Sequence, residues 1–243
     1  MTWDKQLFKD SPLSISQGEV SGHSPFHKFG AVPSLSNNQT GTVWDVNDTV
    51  YPWASWNTAG TVTIPAIATD NGLVVVIEGL DANFLPQSET VTVSSTVAVT
   101  TTNTWSRIYR AYCTSANNVG AINIQKSGVT VARITEGKGQ TLMAVYTVPA
   151  GVTGYLMQGV CTCQAGADAT GDLFVRYFGQ QSFRIGHSFE VSGTGGQYDY
   201  IFSAPVKLPE KTDIDVRASV RTNNARIAAA FDLILVEDGY EHV

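Results

Sequence analysis

No run of about eighteen consecutive apolar residues occurs in the chain, so no membrane-spanning helix is expected. The leading MTWDKQLFKD has no apolar stretch of the kind a secretory signal carries, and none is expected. Charge is scarce as well. Only 15% of the 243 residues are Asp, Glu, Lys or Arg, and the net charge is −6. That balance gives no basic field for a phosphate backbone, which argues against nucleic acid as a partner. Cysteine is limited to Cys113, Cys161 and Cys163, too few for a disulfide framework. Cys161 and Cys163 lie two apart; in a strand they share a face at about 6.5–7 Å, the edge of bridging distance. Free, buried thiols are expected, as a reducing cytoplasm tolerates.

Strand patterning fills the chain from residue 60 onward. LVVVIEGL (73–80) reads as a strand covered on both faces, joined by the turn-rich 79–89 to TVTV (90–93). Further strands are expected in 105–113, 121–125, 129–134, 141–149, 154–163, 172–178, 182–191, 198–205 and 229–238. In 214–221, Ile214, Val216, Ala218 and Val220 alternate with Asp215, Arg217, Ser219 and Arg221. This spacing of strands and turn formers predicts an all-β fold, an antiparallel, jelly-roll-like β-sandwich. A polar seam near 135–140 permits two sandwich modules, at 43–138 and 139–243, as readily as one, behind an N-terminal arm at 1–42. Helix signals are confined to two turns within 3–10.

Catalytic chemistry finds little footing. Glu78, Asp81 and Glu89 flank a hairpin loop, where carboxylates ordinarily accept local backbone hydrogen bonds. Asp81 with Asn83, or Asp168 with Asp172, lacks the spacing of a calcium loop. His23, His27, His187 and His242 stand apart from the cysteines, so no zinc set forms. No G-x-S-x-G elbow occurs, and the Gly-rich 192–197 leads into a strand rather than the helix a phosphate cradle needs. Sequons at Asn38 and Asn47 carry no meaning without a secretory signal. Trp44, Tyr51, Trp53 and Trp56 cluster within thirteen residues, able either to stack sugar rings or to serve as interface anchors.

SGHSPFHKFGAVPSLSNNQTG (21–41) reads as neither helix nor strand. Its Phe26, Phe29, Val32 and Leu35 are irregularly spaced and broken by Pro25, Gly30 and Pro33. Such a segment is too apolar for a solvated tail. It must bury its anchors on a folded surface, either the chain's own β-domain or a neighbouring subunit. Phe26, His27, Lys28, Phe29, Gly30, Pro33 and Leu35 are the expected interface residues, with Gly30 supplying a backbone geometry closed to other residues.

HKFGAVPSL followed by VWDVNDTVYPW resembles the N-terminal region of virion structural proteins of tailed double-stranded DNA bacteriophages from marine and cyanobacterial hosts. IEGLDANFLPQSETVTV, TTNTWSRIYRAY, MAVYTVPAGVTGYL and LPEKTDIDVRA…FDLILVED resemble segments of those proteins in the same order. The likeness runs from about residue 18 to the end. It implies a non-enzymatic virion protein without cofactor or metal. Such a protein assembles in the host cytoplasm as a symmetric oligomer with copies of itself. Its other partners would be major capsid or neck and tail proteins, which it cements, decorates or rings. A host-glycan binding module using Trp44, Tyr51, Trp53 and Trp56 is the competing expectation.

Overall fold

The computed structural model describes residues 12–192, 196–221 and 224–240. The helical turns expected within 3–10 lie outside the described residues. In chain order the elements begin with a short helix α1 (Pro12–Ser16), β1 (His23–Leu35), β2 (Thr40–Thr42), β3 (Thr63–Ile64) and β4 (Val74–Leu80). Next come β5 (Pro86–Thr92), β6 (Val99–Thr100), β7 (Arg107–Cys113), β8 (Ile122–Lys126), β9 (Val129–Ile134) and β10 (Val145–Thr147). The chain closes with β11 (Val152–Cys163), β12 (Ala169–Arg176), β13 (Arg184–Val191), β14 (Gln197–Leu208), β15 (Asp213–Val220) and β16 (Ala225–Glu237). The fold is all-β, and its ladders are antiparallel.

Four sheets result. Their orders are β1-β16-β11-β14, then β10-β15-β12-β13 with β2 also on β15, then β6-β3-β8-β9, and β5-β4-β7. The first two sheets share one core, to which β1 gives Val32 and Leu35, β11 Leu156 and Cys161, β15 Ile214 and Val216, and β16 Phe231 and Leu233. The last two share a second core, built on Ile64, Ile77, Trp105, Ile108, Ile122, Ile124 and Ile134 with Trp44 and Met143. Residues before 44 and after 143 therefore surround the first core, and most of what lies between builds the second.

The point of departure is visible in the hydrogen bonds. β2 pairs with Arg217–Ser219 of β15 and β10 with Asp213–Asp215, so the two lie end to end along one edge of β15. Between them Val43 N donates to Val216 O (2.8 Å), Val216 N to Ala144 O (3.1 Å) and Ala144 N to Val43 O (2.9 Å). The chain thus leaves one strand position at Val43 and returns to it at Ala144.

Residues 23–35, expected to be irregular, form a strand paired with β16 from His23↔Val236 to Leu35↔Ala225. β1 is an edge strand, so Pro25 and Pro33 interrupt no second ladder. A register shift between Val32 and Leu35 resets the alternation, which explains the uneven apolar spacing. Gly30 has a different reason from the one expected. Its backbone crosses the point where the chain leaves and returns, and an added Cβ would lie 2.3 Å from both Ala144 N and Val43 O.

Each strand expected from patterning overlaps an observed one, and β1, β2, β3 and β6 are additions. β4 is packed on one face only: Val75 and Ile77 are fully buried, while Val74, Val76 and Glu78 are half-buried. The three cysteines are free, with Cys161 and Cys163 buried on the inner face of β11 as anticipated.

Candidate functional site at the seam between the cores

β15 shows why the seam is polar. Its inward alternate residues Ile214, Val216, Ala218 and Val220 enter the first core, yet Asp213 and Asp215 on the opposite face are also buried. The second unit covers them. A buried carboxylate needs charge partners and donors. Asp213 accepts from Arg107 Nε (2.8 Å) and Nη2 (3.0 Å), from Arg176 Nε (3.1 Å) and Nη2 (2.6 Å), and from Thr147 Oγ1 (2.6 Å). Arg107 comes from β7 of the second unit, Arg176 from β12 of the first, so one carboxylate ties the two together. Asp215 accepts from Arg217 Nε (2.7 Å), Trp53 Nε1 (2.9 Å) and Thr42 Oγ1 (2.8 Å). Burial pushes its carboxyl above the usual range, against the pull of Arg217.

The aromatic cluster is drawn into the same seam. Trp44, Tyr51, Trp53 and Trp56 are all buried. Trp53 packs near both the Arg107 and Arg176 guanidiniums, 5.6 and 5.5 Å from its ring, and against Phe183. Trp56 Nε1 donates to Tyr51 Oη (2.8 Å) and Trp44 Nε1 to Thr49 O (3.2 Å). The rings act as internal anchors whose polar tips are satisfied, not as an open platform.

The residues singled out in β1 divide by face. Inward, Phe26 stacks on Tyr146 at 4.0 Å and meets Tyr109 edge-on at 5.9 Å. Lys28 is buried, and its Nζ donates to Tyr109 O across the seam. Desolvation, with Arg110 adding to it, lowers the Lys28 amine to about 7. Gly30 and Leu35 are buried too. Outward, His27 reaches Asp232 and stands 5.6 Å from the half-buried Phe29, and Pro33 is exposed. The chain's own fold therefore covers most of these apolar groups.

The remaining candidates have local duties. Asp81 accepts the Asn83 and Leu85 amides (2.7 and 2.9 Å) and Glu89 the Thr102 and Asn103 amides (2.7 and 2.8 Å). Glu78 faces Arg110 at 3.8 Å, and Asp172 accepts from Ser188 Oγ at 2.5 Å. His23 Nδ1 bonds Ser21 O and His187 Nε2 bonds Tyr198 Oη, both at 2.9 Å; His242 lies outside the described residues. Among the described residues no group of three or more His, Cys, Asp or Glu is placed to hold a metal, and no helix is long and apolar enough to cross a membrane.

Where the seam opens to solvent it leaves a cavity of about 330 Å³, lined by Trp56, Phe84, Arg107, Arg176, Phe178, Gln180 and Lys211 among others. Sequence reading missed Arg107, Arg176, Asp213 and these loop residues. The available signal was charge placed within apolar strands of a chain that has little of it.

No family model matches the chain, and no curated protein matches it in sequence. Among solved structures it is similar to a structure of the Gx strain of infectious bursal disease virus. The identity is 10%, with 89% of this chain and 77% of that chain covered, at a TM-score of 0.20. A likeness of that size carries no argument about fold or function.

Proposed function

We propose that the chain is a non-enzymatic structural protein of a tailed-phage particle, assembling as a symmetric oligomer that decorates or cements the head or rings the neck or tail. One observation carries the reading. The orders β1-β16-β11-β14 and β10-β15-β12-β13 around one core support a reading as an eight-stranded jelly roll, with a second β-unit inserted where β2 and β10 share one position. Jelly rolls serve in viral shells and in lectins, where a stiff double sheet presents surfaces and loops. The buried ion pairs and Trp anchors at the seam stiffen the joint between units, a property useful to a part that bears load.

The outer face of the β1 sheet offers a surface for neighbours. His27, Phe29 and Pro33 of the residues first singled out remain on the outside, beside the half-buried Ala228, Ala230 and Ile234 of β16. Ile201 on β14 is 71% exposed.

Gold labelling and mass spectrometry of purified particles test the proposal. The protein is expected in stoichiometric amounts at one location on every particle. Its absence from purified particles would remove the reading. Sedimentation of the isolated protein supplies the second check, with a closed oligomer expected.

A further inference from the structure

We propose that the cavity at the mouth of the seam is a binding site for an acidic saccharide, a hydroxylated ring bearing a carboxylate. The proposal stands apart from the particle assignment and does not depend on it. The cavity's volume of about 330 Å³ suits one sugar residue. Among the described residues three cations line it, Arg107, Arg176 and Lys211, against the single carboxylate of Asp213. In a chain of net charge −6 that local excess is unusual. Arg107 is bound up with Asp213 and backbone carbonyls. Arg176 commits its Nε and Nη2 to Asp213 and leaves Nη1 for a ligand. Lys211 makes a long 3.5 Å contact to Glu210 and lies over the Phe178 ring at 5.1 Å.

Two further observations point to a hydroxylated ring rather than a bare anion. Gln180 lines the cavity, and its Oε1 is buried without a hydrogen-bond partner. An unsatisfied buried acceptor is costly, and a turn of the side chain into the cavity lets it accept from a sugar hydroxyl while a carboxylate on the same ligand accepts from Arg176. Sulfate can do only the second of these. Phe178 is 64% exposed at the rim, held by a tight turn in which Gln180 N donates to Tyr177 O and Gly179 takes φ +80°. The exposed part of the ring, beside the Lys211 ammonium, offers surface for stacking on the apolar side of a sugar.

Backbone strain converges on the same place. Phe84 and Lys211 both line the cavity, and both adopt positive φ, +65° and +59°. For a bulky residue such as Phe that conformation is a genuine outlier, and such outliers gather at ligand sites. Phe84 meets Phe178 edge-on at 5.7 Å and lies under Arg107 at 5.3 Å, so the strain holds an aromatic floor across the two units.

Binding to the full chain is measured by ligand-observed NMR and calorimetry with methyl glucuronide, neutral methyl glucoside and inorganic sulfate, each at millimolar concentration. The glucuronide is expected to bind at least about tenfold more tightly than either control. Phe178→Ala and Gln180→Met, both outside the buried ion pairs, are each expected to weaken it about tenfold. Their unfolding midpoints, measured in parallel, are expected to stay near wild type. Four results would overturn the assignment: no glucuronide binding, glucoside binding equally well, sulfate alone binding, or variants that bind as wild type while remaining folded.

Discussion

The two cores solve one problem with different materials. The first is a continuous double sheet of Val, Ile, Leu and Ala, in which long strands such as β11, β14 and β16 alternate inward and outward. The second is assembled from shorter strands and loops around Trp44, Trp53, Trp56 and Trp105. Side chains there do work that ladders do in the first. Asp70 accepts the Val119 and Gly120 amides (2.6 and 2.7 Å), and Asn118 Nδ2 donates to three carbonyls. Regular sheets can be stabilised by area alone, whereas a loop-rich core needs each polar group placed.

The largest effect is expected where the cores meet. Asp213→Asn leaves the buried Arg107, and Arg176 beside it, without their shared carboxylate, and denaturant unfolding should show a loss of about 3–5 kcal/mol. Adding Arg107→Met to Asp213→Asn should recover part of that loss, since it removes the more deeply buried of the two stranded charges. Gly30→Ala comes next. Its new methyl meets backbone rather than a movable side chain, and a loss of about 1–3 kcal/mol is expected from calorimetry. Within the second core, Asp70→Ala orphans two amides and should cost about 1–3 kcal/mol. The same substitution at exposed Glu237, at the end of β16, should change little.

Titration sharpens the contrast further. Lys28 has its amine lowered from 10.5 to about 7, so between these values the unfolded chain binds more protons than the folded one. Stability contributed at this position therefore rises as pH rises from about 7 toward 10.5, by up to about 1.4 kcal/mol per pH unit. Lys28→Met should flatten that rise in a series of melting curves. Asp45 behaves oppositely: burial lifts its carboxyl from 3.8 to about 6, so stability is fully present below the lower value and is lost as pH rises through about 6. Asp45→Asn should remove this decline.

Legibility in the sequence followed the same division. The strands of the first core announce themselves through alternation, with 214–221 the clearest case. β1 was concealed because its bulge, prolines and buried Lys28 break the period that marks a strand, while an edge position and a carbonyl across the seam accommodate all three. The aromatic cluster was visible as anchors, but the direction those anchors face was not. The seam's ion pairs escaped notice because Arg107, Arg176 and Asp213 are separated by tens of residues, and only topology brings them together. The cavity is less legible still, since positive φ at Phe84 and Lys211 has no signature in residue type.

The central claim is that 23–35 belongs to the chain's own first sheet and is not lent to a neighbour. Hydrogen exchange read by mass spectrometry across a wide range of protein concentrations tests it most directly. Protection of the β1 amides facing β16 should match that of β16 and stay constant on dilution to the monomer. Protection that vanishes from 23–35 on dilution, while β11 and β16 keep theirs, would contradict it.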